Sequence, residues 1–409
     1  MSPKPLPVAE ERLIALAREH GTPLFVYDAG TIRARIAELR ALFDVVRYAQ
    51  KANSNLALLA LVRAEGCAID AVSAGEVERA LAAGFTAGEI VFTSDVFDRA
   101  ALECLARRRM RVNLGSLDML EQYGALGVGR EVTLRVNPGF GAGHSSGVTT
   151  GGEHSKHGIW HAELDSALSR ARAAGLEVTG LHVHIGSGAR IEGLIAAARS
   201  MHALAPRVGR SLALISAGGG LPIPYRPGEP RLDLAPLADA WRAVQRELEH
   251  ELDKKLALEI EPGRYLVAEA GVLVTEVRAT KRQGALDYVL VDAGFHNLPR
   301  PLLYGAYHEI SVLGRASAAP LFPQVVAGPL CESADVFTQD ANGRLEPRAL
   351  PRLAPDDLVC LHDAGAYASS MASNYNGQPF AAEVLVNGAS TRVIRRRQEL
   401  AELWRDELR

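Results

Sequence analysis

The sequence predicts an α/β protein: a TIM-type (β/α)8 barrel followed by a β-rich C-terminal domain of sandwich or barrel-like form. Three observations predict it. Eight short β-type runs lie between Val45 and Ile260. The first five begin roughly twenty residues apart, which leaves room for one helix between strands. After Gly271 the texture changes to short alternating or apolar runs split by turns.

In chain order, Pro23-Leu24-Phe25-Val26-Tyr27 is strand-like and precedes the barrel, so residues 1–30 are assigned to pack with the C-terminal domain. The barrel is assigned to 31–270. Its strands are expected at 45–49, 69–72, 90–93, 111–114, 132–136, 181–185, 212–216 and 256–260. Segments 74–81 and 165–174 have the small, charged composition of connecting helices. A doubly wound open sheet accommodates the same elements and stays open as an alternative. Residues 137–158 form a long, glycine-rich connection, and a lid over the barrel mouth is expected there. The C-terminal domain, 271–409, is expected to hold strands at 272–278, 288–292, 323–327 and 382–386. A helical period returns at 399–408.

Composition narrows the function. The chain has 409 residues, more than one core usually serves, so two domains are expected. Hydrophobic residues at 48% and charged residues at 23% describe a soluble globular protein. A net charge of −3 argues against nucleic-acid binding, which needs a basic footprint. The basic run Arg395-Arg396-Arg397 near the C-terminus reads as a solvated face. The four cysteines have neither disulfide-framework nor zinc-ribbon spacing. No apolar run is long enough to span a bilayer, and Met1–Pro5 lacks a signal-peptide core. A reducing cytoplasm is the expected location, with no membrane partner.

Polar and glycine residues collect at one end of the strands, where barrel enzymes keep their chemistry. Lys51 follows the first apolar strand in Tyr48-Ala49-Gln50-Lys51-Ala52-Asn53. A lysine pointing into a pocket there loses its proton more easily and can form a Schiff base with a carbonyl cofactor. One lysine alone is more often a strand-closing surface residue. His182 and His184 lie two apart on one strand face, a spacing that also suits zinc. Supporting ligands are missing, so a satisfied core histidine is expected at 182 and no metal site. Gly218-Gly219-Gly220 can bring backbone N–H groups close to a phosphate, though glycines alone often mark only a tight turn.

Taken in order, Tyr48–Asn53, His182-Val183-His184-Ile185-Gly186-Ser187, Gly218-Gly219-Gly220, Glu261-Pro262-Gly263-Arg264, Gly328-Pro329-Leu330-Cys331-Glu332-Ser333 and Asp363-Ala364-Gly365-Ala366-Tyr367 resemble diaminopimelate decarboxylases. These are fold type III pyridoxal-phosphate enzymes of bacterial lysine biosynthesis, and the resemblance runs over nearly the whole chain. It implies a homodimer with active sites shared between subunits. It implies that Lys51 holds pyridoxal 5'-phosphate and then moves protons. His184 would stack on the ring with Ser187 nearby, and Gly218, Gly219, Gly220, Gly263, Arg264 and Tyr367 would complete the cofactor site. Glu261 would keep the ring nitrogen protonated, which favours decarboxylation over racemisation; related racemases place an arginine there.

The substrate residues follow from the same resemblance. Arg264, Arg300 and Tyr304 would clamp the distal carboxylate of meso-2,6-diaminopimelate, because arginine binds carboxylates through two parallel bonds. Glu332 would receive the distal ammonium, Tyr367 would touch both cofactor and substrate, and Cys331 of the other subunit would protonate Cα. Close rivals are decarboxylases of D-lysine, D-ornithine or a carrier-linked glutamyl group. More distant rivals are a non-catalytic pyridoxal-phosphate carrier and a zinc hydrolase.

Overall fold

The structure, a computed structural model, describes residues 4–141, 143, 150–315 and 319–408. The chain divides into two compact units. One comprises Met1–Ile32, Pro224–Pro230 and Leu266–Arg409; the other comprises Arg33–Ile223 and Arg231–Tyr265. The first strand, β1 (Leu24–Asp28), belongs to the former.

The second unit is a closed parallel barrel. Its strands are β2 (Val45–Ala49), β3 (Ala68–Ala71), β4 (Ile90–Ser94), β5 (Arg111–Leu114), β6 (Glu131–Asn137), β8 (Glu177–Val183), β9 (Leu214–Ser216) and β10 (Ala257–Ile260). The two-residue β7 (Ile159–Trp160) adds only to β6. Pairing of β10 with β2 and of β5 with β6 closes the ring and decides against the open sheet. Every neighbour is parallel, so the strands are buried on both faces and read as apolar runs. The turns into the early helices end on capping residues. Asn55 Oδ1 accepts the Ala57 N–H at 2.9 Å, Ser73 Oγ the Glu76 N–H at 3.2 Å, and Asp98 Oδ1 the Ala101 N–H at 2.7 Å.

One barrel strand starts well before the residue the sequence predicts. β8 begins at Glu177 rather than 181, because Gly180 and a bulge opposite Val132–Thr133 interrupt the apolar run. A Cβ at Gly180 would lie 2.6 Å from Thr133 Oγ1, so only glycine lets the two strands approach there.

The other unit is a mixed sheet. Its further strands are β11 (Gly271–Gln283), β12 (Leu286–Val291), β13 (Ile310–Val312), β14 (Leu321–Ala327), β15 (Arg348–Pro351), β16 (Leu358–Leu361), β17 (Ala382–Asn387) and β18 (Ser390–Arg395). The order runs β15-β14-β12-β11-β1-β17-β18, with β16 joining β11 to β13. β1 therefore fills the gap between β11 and β17. Its residues Leu24 and Val26 share a buried core with Leu13, Val272, Val274 and Val384.

Two sequence readings change here. Residues 399–408 form only a 3-10 helix, Leu400–Trp404, since Leu400, Trp404 and Leu408 are exposed and no buried stripe extends the turn. The 395–397 run is not simply a solvated face. Arg395 pairs with the buried Glu383 at 2.7 Å and Arg397 donates to the Pro23 carbonyl at 2.8 Å, leaving Arg396 outermost. The lid reading for 137–158 falls partly on 142 and 144–149, which lie outside the described residues. Among the described residues no helix is long and apolar enough to cross a membrane.

The helix Ala235–Leu252 buries Leu237, Trp241, Val244, Leu248 and Leu252 at helical spacing. Trp241 is fully buried, so Trp241→Ala is expected to cost about 3–5 kcal/mol, read from denaturant unfolding. A loss below about 1 kcal/mol would show that this helix contributes little packing.

Candidate active site

Charge is concentrated inside the barrel. The strand period sends Glu259 and, just past the end of β10, Glu261 to one face, and both are buried. Glu259 accepts two bonds from Arg47 of β2, at 2.9 and 3.0 Å, and one from Arg111 of β5. Glu261 Oε2 accepts from His182 Nε2 at 2.8 Å, and Glu261 Oε1 accepts from the Ser216 hydroxyl at 2.9 Å. Burial alone would push Glu261 up. The charge and hydrogen bond of His182, the Ser216 hydroxyl and the charge of Arg47 outweigh it and bring the carboxyl to about 2.

Asp70 of β3 shares this interior and feels the Glu261 charge. Burial and the Glu261 charge push it up, against Lys51, the Thr93 hydroxyl and His182. The pair therefore separates: Glu261 stays ionised and Asp70 is the carboxyl that tends to keep its proton. His182 is more than a satisfied core residue. It orients Glu261 through Nε2, while Nδ1 has no hydrogen-bond partner among the described residues.

Lys51 lies on a short 3-10 turn, Gln50–Ala52, immediately after β2. The expectation of a buried amine is corrected. Gln50, Ala52 and Asn53 are buried and anchor the turn, whereas the Lys51 side chain has left the strand and is exposed. Its charge still acts on Asp70, Glu76 and His184.

His184 is half-buried just beyond β8, and the Gly219 N–H donates to its Nδ1 at 3.2 Å. That bond requires an unprotonated Nδ1. Burial, Arg135, Lys51 and His182 likewise hold the ring well below the usual histidine range. The three glycines are demanded by backbone. A Cβ at Gly218 would lie 2.2 Å from the Val183 carbonyl, at Gly219 2.3 Å from that of Glu261, and at Gly220 2.2 Å from that of Gly186. Gly218 and Gly220 also have φ of +61° and +101°. The Gly218 and Gly219 N–H groups already donate, to Ser216 Oγ and His184 Nδ1, so the loop does not offer all three to a ligand. Gly263 and Arg264 are buried and Ser187 is half-buried.

Near His184, Thr150 donates from Oγ1 to the His184 carbonyl at 3.1 Å. Asn137 ties the two sides of the 137–158 connection, accepting from Gly139 and Gly152 and donating to the Gly152 and His157 carbonyls.

The remaining predicted residues lie in the other unit. Arg300 is buried and starts the short helix Arg300–Tyr304, with Tyr304 half-buried at its end. Cys331 and Glu332 are exposed, and the Cys331 N–H donates to Asn376 Oδ1 at 2.7 Å. Tyr367 has φ +56° and Asp363 φ +55°, left-handed conformations that non-glycine residues rarely adopt and that cluster at functional sites. Asp363 is pushed up to about 7 by burial, against the pull of Lys4.

Sequence reasoning missed Asp70, Ser216, Asn376 and Asp335. Asp335 accepts the Leu330 and Phe295 N–H groups and so shapes the loop before Cys331. Asp70 carried a usable signal, a carboxylate inside the apolar run Ala68-Ile69-Asp70-Ala71. The others act through contacts that no spacing encodes.

Residues 29–268 match the family described as pyridoxal-dependent decarboxylase, pyridoxal binding domain. The diaminopimelate decarboxylase of Streptomyces coelicolor is 53% identical over 404 residues, covering 97% of this chain and 92% of that one. A crystal structure of a diaminopimelate decarboxylase is similar with a TM-score of 0.95 at 49% identity, covering 98% of this chain and 97% of that one. The Helicobacter pylori diaminopimelate decarboxylase complexed with L-lysine has a TM-score of 0.87 at 32% identity, covering 96% of this chain and 98% of that one.

The depressed Glu261 carboxyl sets a pH dependence. Its contribution to stability is present above about 4.5, the ordinary value, and is lost as pH falls towards about 2. Glu261→Gln is therefore expected to flatten the fall in unfolding free energy below pH 4.5, measured by urea midpoints across pH. Parallel acid limbs for both proteins would contradict an ionised Glu261.

Proposed function

The chain belongs to the diaminopimelate decarboxylase family, and from that premise we propose that it converts meso-2,6-diaminopimelate to L-lysine and carbon dioxide as a cytoplasmic homodimer with shared active sites. The observation that most supports the chemistry is the ionised, buried Glu261 at the same strand ends as Lys51 and the neutral His184.

The residues fit pyridoxal phosphate. Lys51 offers an accessible primary amine, His184 a neutral ring, and Gly218 to Gly220 a surface that any side chain would fill. Bound there, the cofactor supplies an electron sink for the pair of electrons left as carbon dioxide departs. Glu261 holds a proton at the ring nitrogen, and its own low affinity for protons keeps it a carboxylate able to do so. His182 and Ser216 occupy one oxygen each and fix the plane of that carboxylate. His184 packs on the ring as an uncharged surface, with Ser187 beside it. Gly220, Gly263 and Arg264 are taken as phosphate and cofactor contacts.

Arg264, Arg300 and Tyr304 bind the carboxylate of the substrate's unreacting end, and Glu332 its ammonium. Tyr367 contacts cofactor and substrate. Holding the far end selects which stereocentre reacts and aligns its carboxylate bond for cleavage. Lys51 Nζ binds the cofactor and carries protons, and Cys331 Sγ of the partner subunit delivers a proton to Cα.

Lys51→Ala is expected to abolish both turnover and the visible absorbance of lysine-bound cofactor; persistence of both would overturn the assignment. Cys331→Ala should keep that absorbance but slow lysine formation by at least about a hundredfold, in the range of a lost general acid. Mixing the two variants should restore activity above that of either alone if the site is shared. Full activity of Cys331→Ala alone would remove its role.

A further inference from the structure

Arg300 is 1% exposed, and its surroundings are specific. Its Nη1 lies 2.8 Å from His308 Nε2, and its Cζ lies 4.8 Å from the centre of the Tyr225 ring. The Tyr225 and His308 rings meet edge to face at 5.7 Å. His308 is buried and anchored in turn, with Nδ1 2.7 Å from the His362 carbonyl oxygen. His362 is itself held by Ser311, whose Oγ lies 2.7 Å from His362 Nε2.

Elementary donor and acceptor rules fix the protonation of this chain. A carbonyl oxygen only accepts, so His308 Nδ1 carries the proton of that bond. A guanidinium only donates, so His308 Nε2 presents its lone pair to Arg300. His308 is therefore the neutral tautomer protonated at Nδ1. An imidazolium would aim an N–H at the arginine and set like charges 2.8 Å apart.

We infer that His308 and Tyr225 are positioning residues that set the guanidinium plane of Arg300 for the carboxylate of an amino-acid end of the substrate. The inference rests on the assignment of Arg300 to that carboxylate. Bidentate binding depends on the orientation of the guanidinium plane as well as on its charge. His308 orients the group through a neutral acceptor atom. The Tyr225 ring face adds a second constraint without charge. Asp363, whose carboxylate is tied to Lys4 at 2.5 Å, also senses the Arg300 charge. An arginine ordered before binding loses less rotamer freedom when the substrate arrives.

The test uses the full-length enzyme loaded with pyridoxal phosphate. It measures KM and kcat for meso-diaminopimelate and inhibition by L-lysine, which keeps the distal carboxylate. Pentane-1,5-diamine, which has no carboxylate, is the control inhibitor. His308→Leu is expected to raise KM and the lysine Ki together by about tenfold or more, the scale of one lost bond to a charged group, with a smaller change in kcat. Inhibition by the diamine and the visible absorbance of bound cofactor should not move. His308→Gln, whose amide oxygen can still accept from Arg300, should recover most of the loss.

A folded, cofactor-loaded His308→Leu with unchanged KM and Ki overturns the inference, provided Arg300→Gln raises both. If Arg300→Gln leaves the lysine Ki unchanged, the substrate assignment fails and the inference falls with it. Should His308→Leu not fold, Tyr225→Leu, at a half-buried position of the 224–230 segment, decides. A joint rise in KM and Ki supports positioning, and no change overturns it.

Discussion

An ionised carboxylate inside a protein is expensive, at several kcal/mol per ion before compensation, and Glu261 is such a group. Much of the barrel interior can be understood as its compensation. His182 and Ser216 each take one oxygen, from neighbouring strand ends. Arg47 contributes charge from β2 although its direct bonds go to Glu259, two residues earlier on β10. Arg111 adds a second cation on Glu259. The closure of the ring is essential to this arrangement, because β2, β5, β8, β9 and β10 bring these groups to one interior only when the sheet is a barrel.

The same carboxylate bears on its neighbour Asp70. Asp70 cannot ionise easily beside it, so two buried carboxyls have opposite tendencies, the pattern by which one site supports both acid and base roles. His184 stays neutral because burial disfavours its charged form, because Arg135, Lys51 and His182 supply positive charge around it, and because a backbone N–H from Gly219 uses its lone pair. The glycine loop is thus shaped twice, by carbonyl oxygens that leave no space for a Cβ and by the histidine it supports. A similar logic recurs in the other unit, where a neutral His308 orients Arg300 through a single lone pair.

Much of this was legible in the sequence, and the reasons for the gaps are physical. Parallel strands buried on both faces are continuous apolar runs, so all eight barrel strands could be read from spacing and composition. β8 was read short because Gly180 breaks its pattern for the sake of close packing against Thr133 and Leu214. β13, β15, β16 and β18 were missed because strands of three to six residues with mixed exposure have no distinctive period. Lys51, His184 and Glu261 were legible as motif residues at strand ends, yet the exposure of Lys51 was not, since it depends on a turn one residue beyond β2. His182 was undervalued because its partner lies 79 residues away. His308 and Asn376 act through contacts that only the folded chain creates.

The most direct measurement is lysine formation by the purified protein, with added pyridoxal phosphate, from meso-diaminopimelate and from D-lysine, L-lysine, D-ornithine and L-ornithine as separate candidate substrates. The proposed function requires L-lysine and carbon dioxide in equal amounts from meso-diaminopimelate, with no carbon dioxide from the other four. Decarboxylation of one of those four but not of meso-diaminopimelate would contradict it, leaving the cofactor chemistry in place and the substrate assignment wrong.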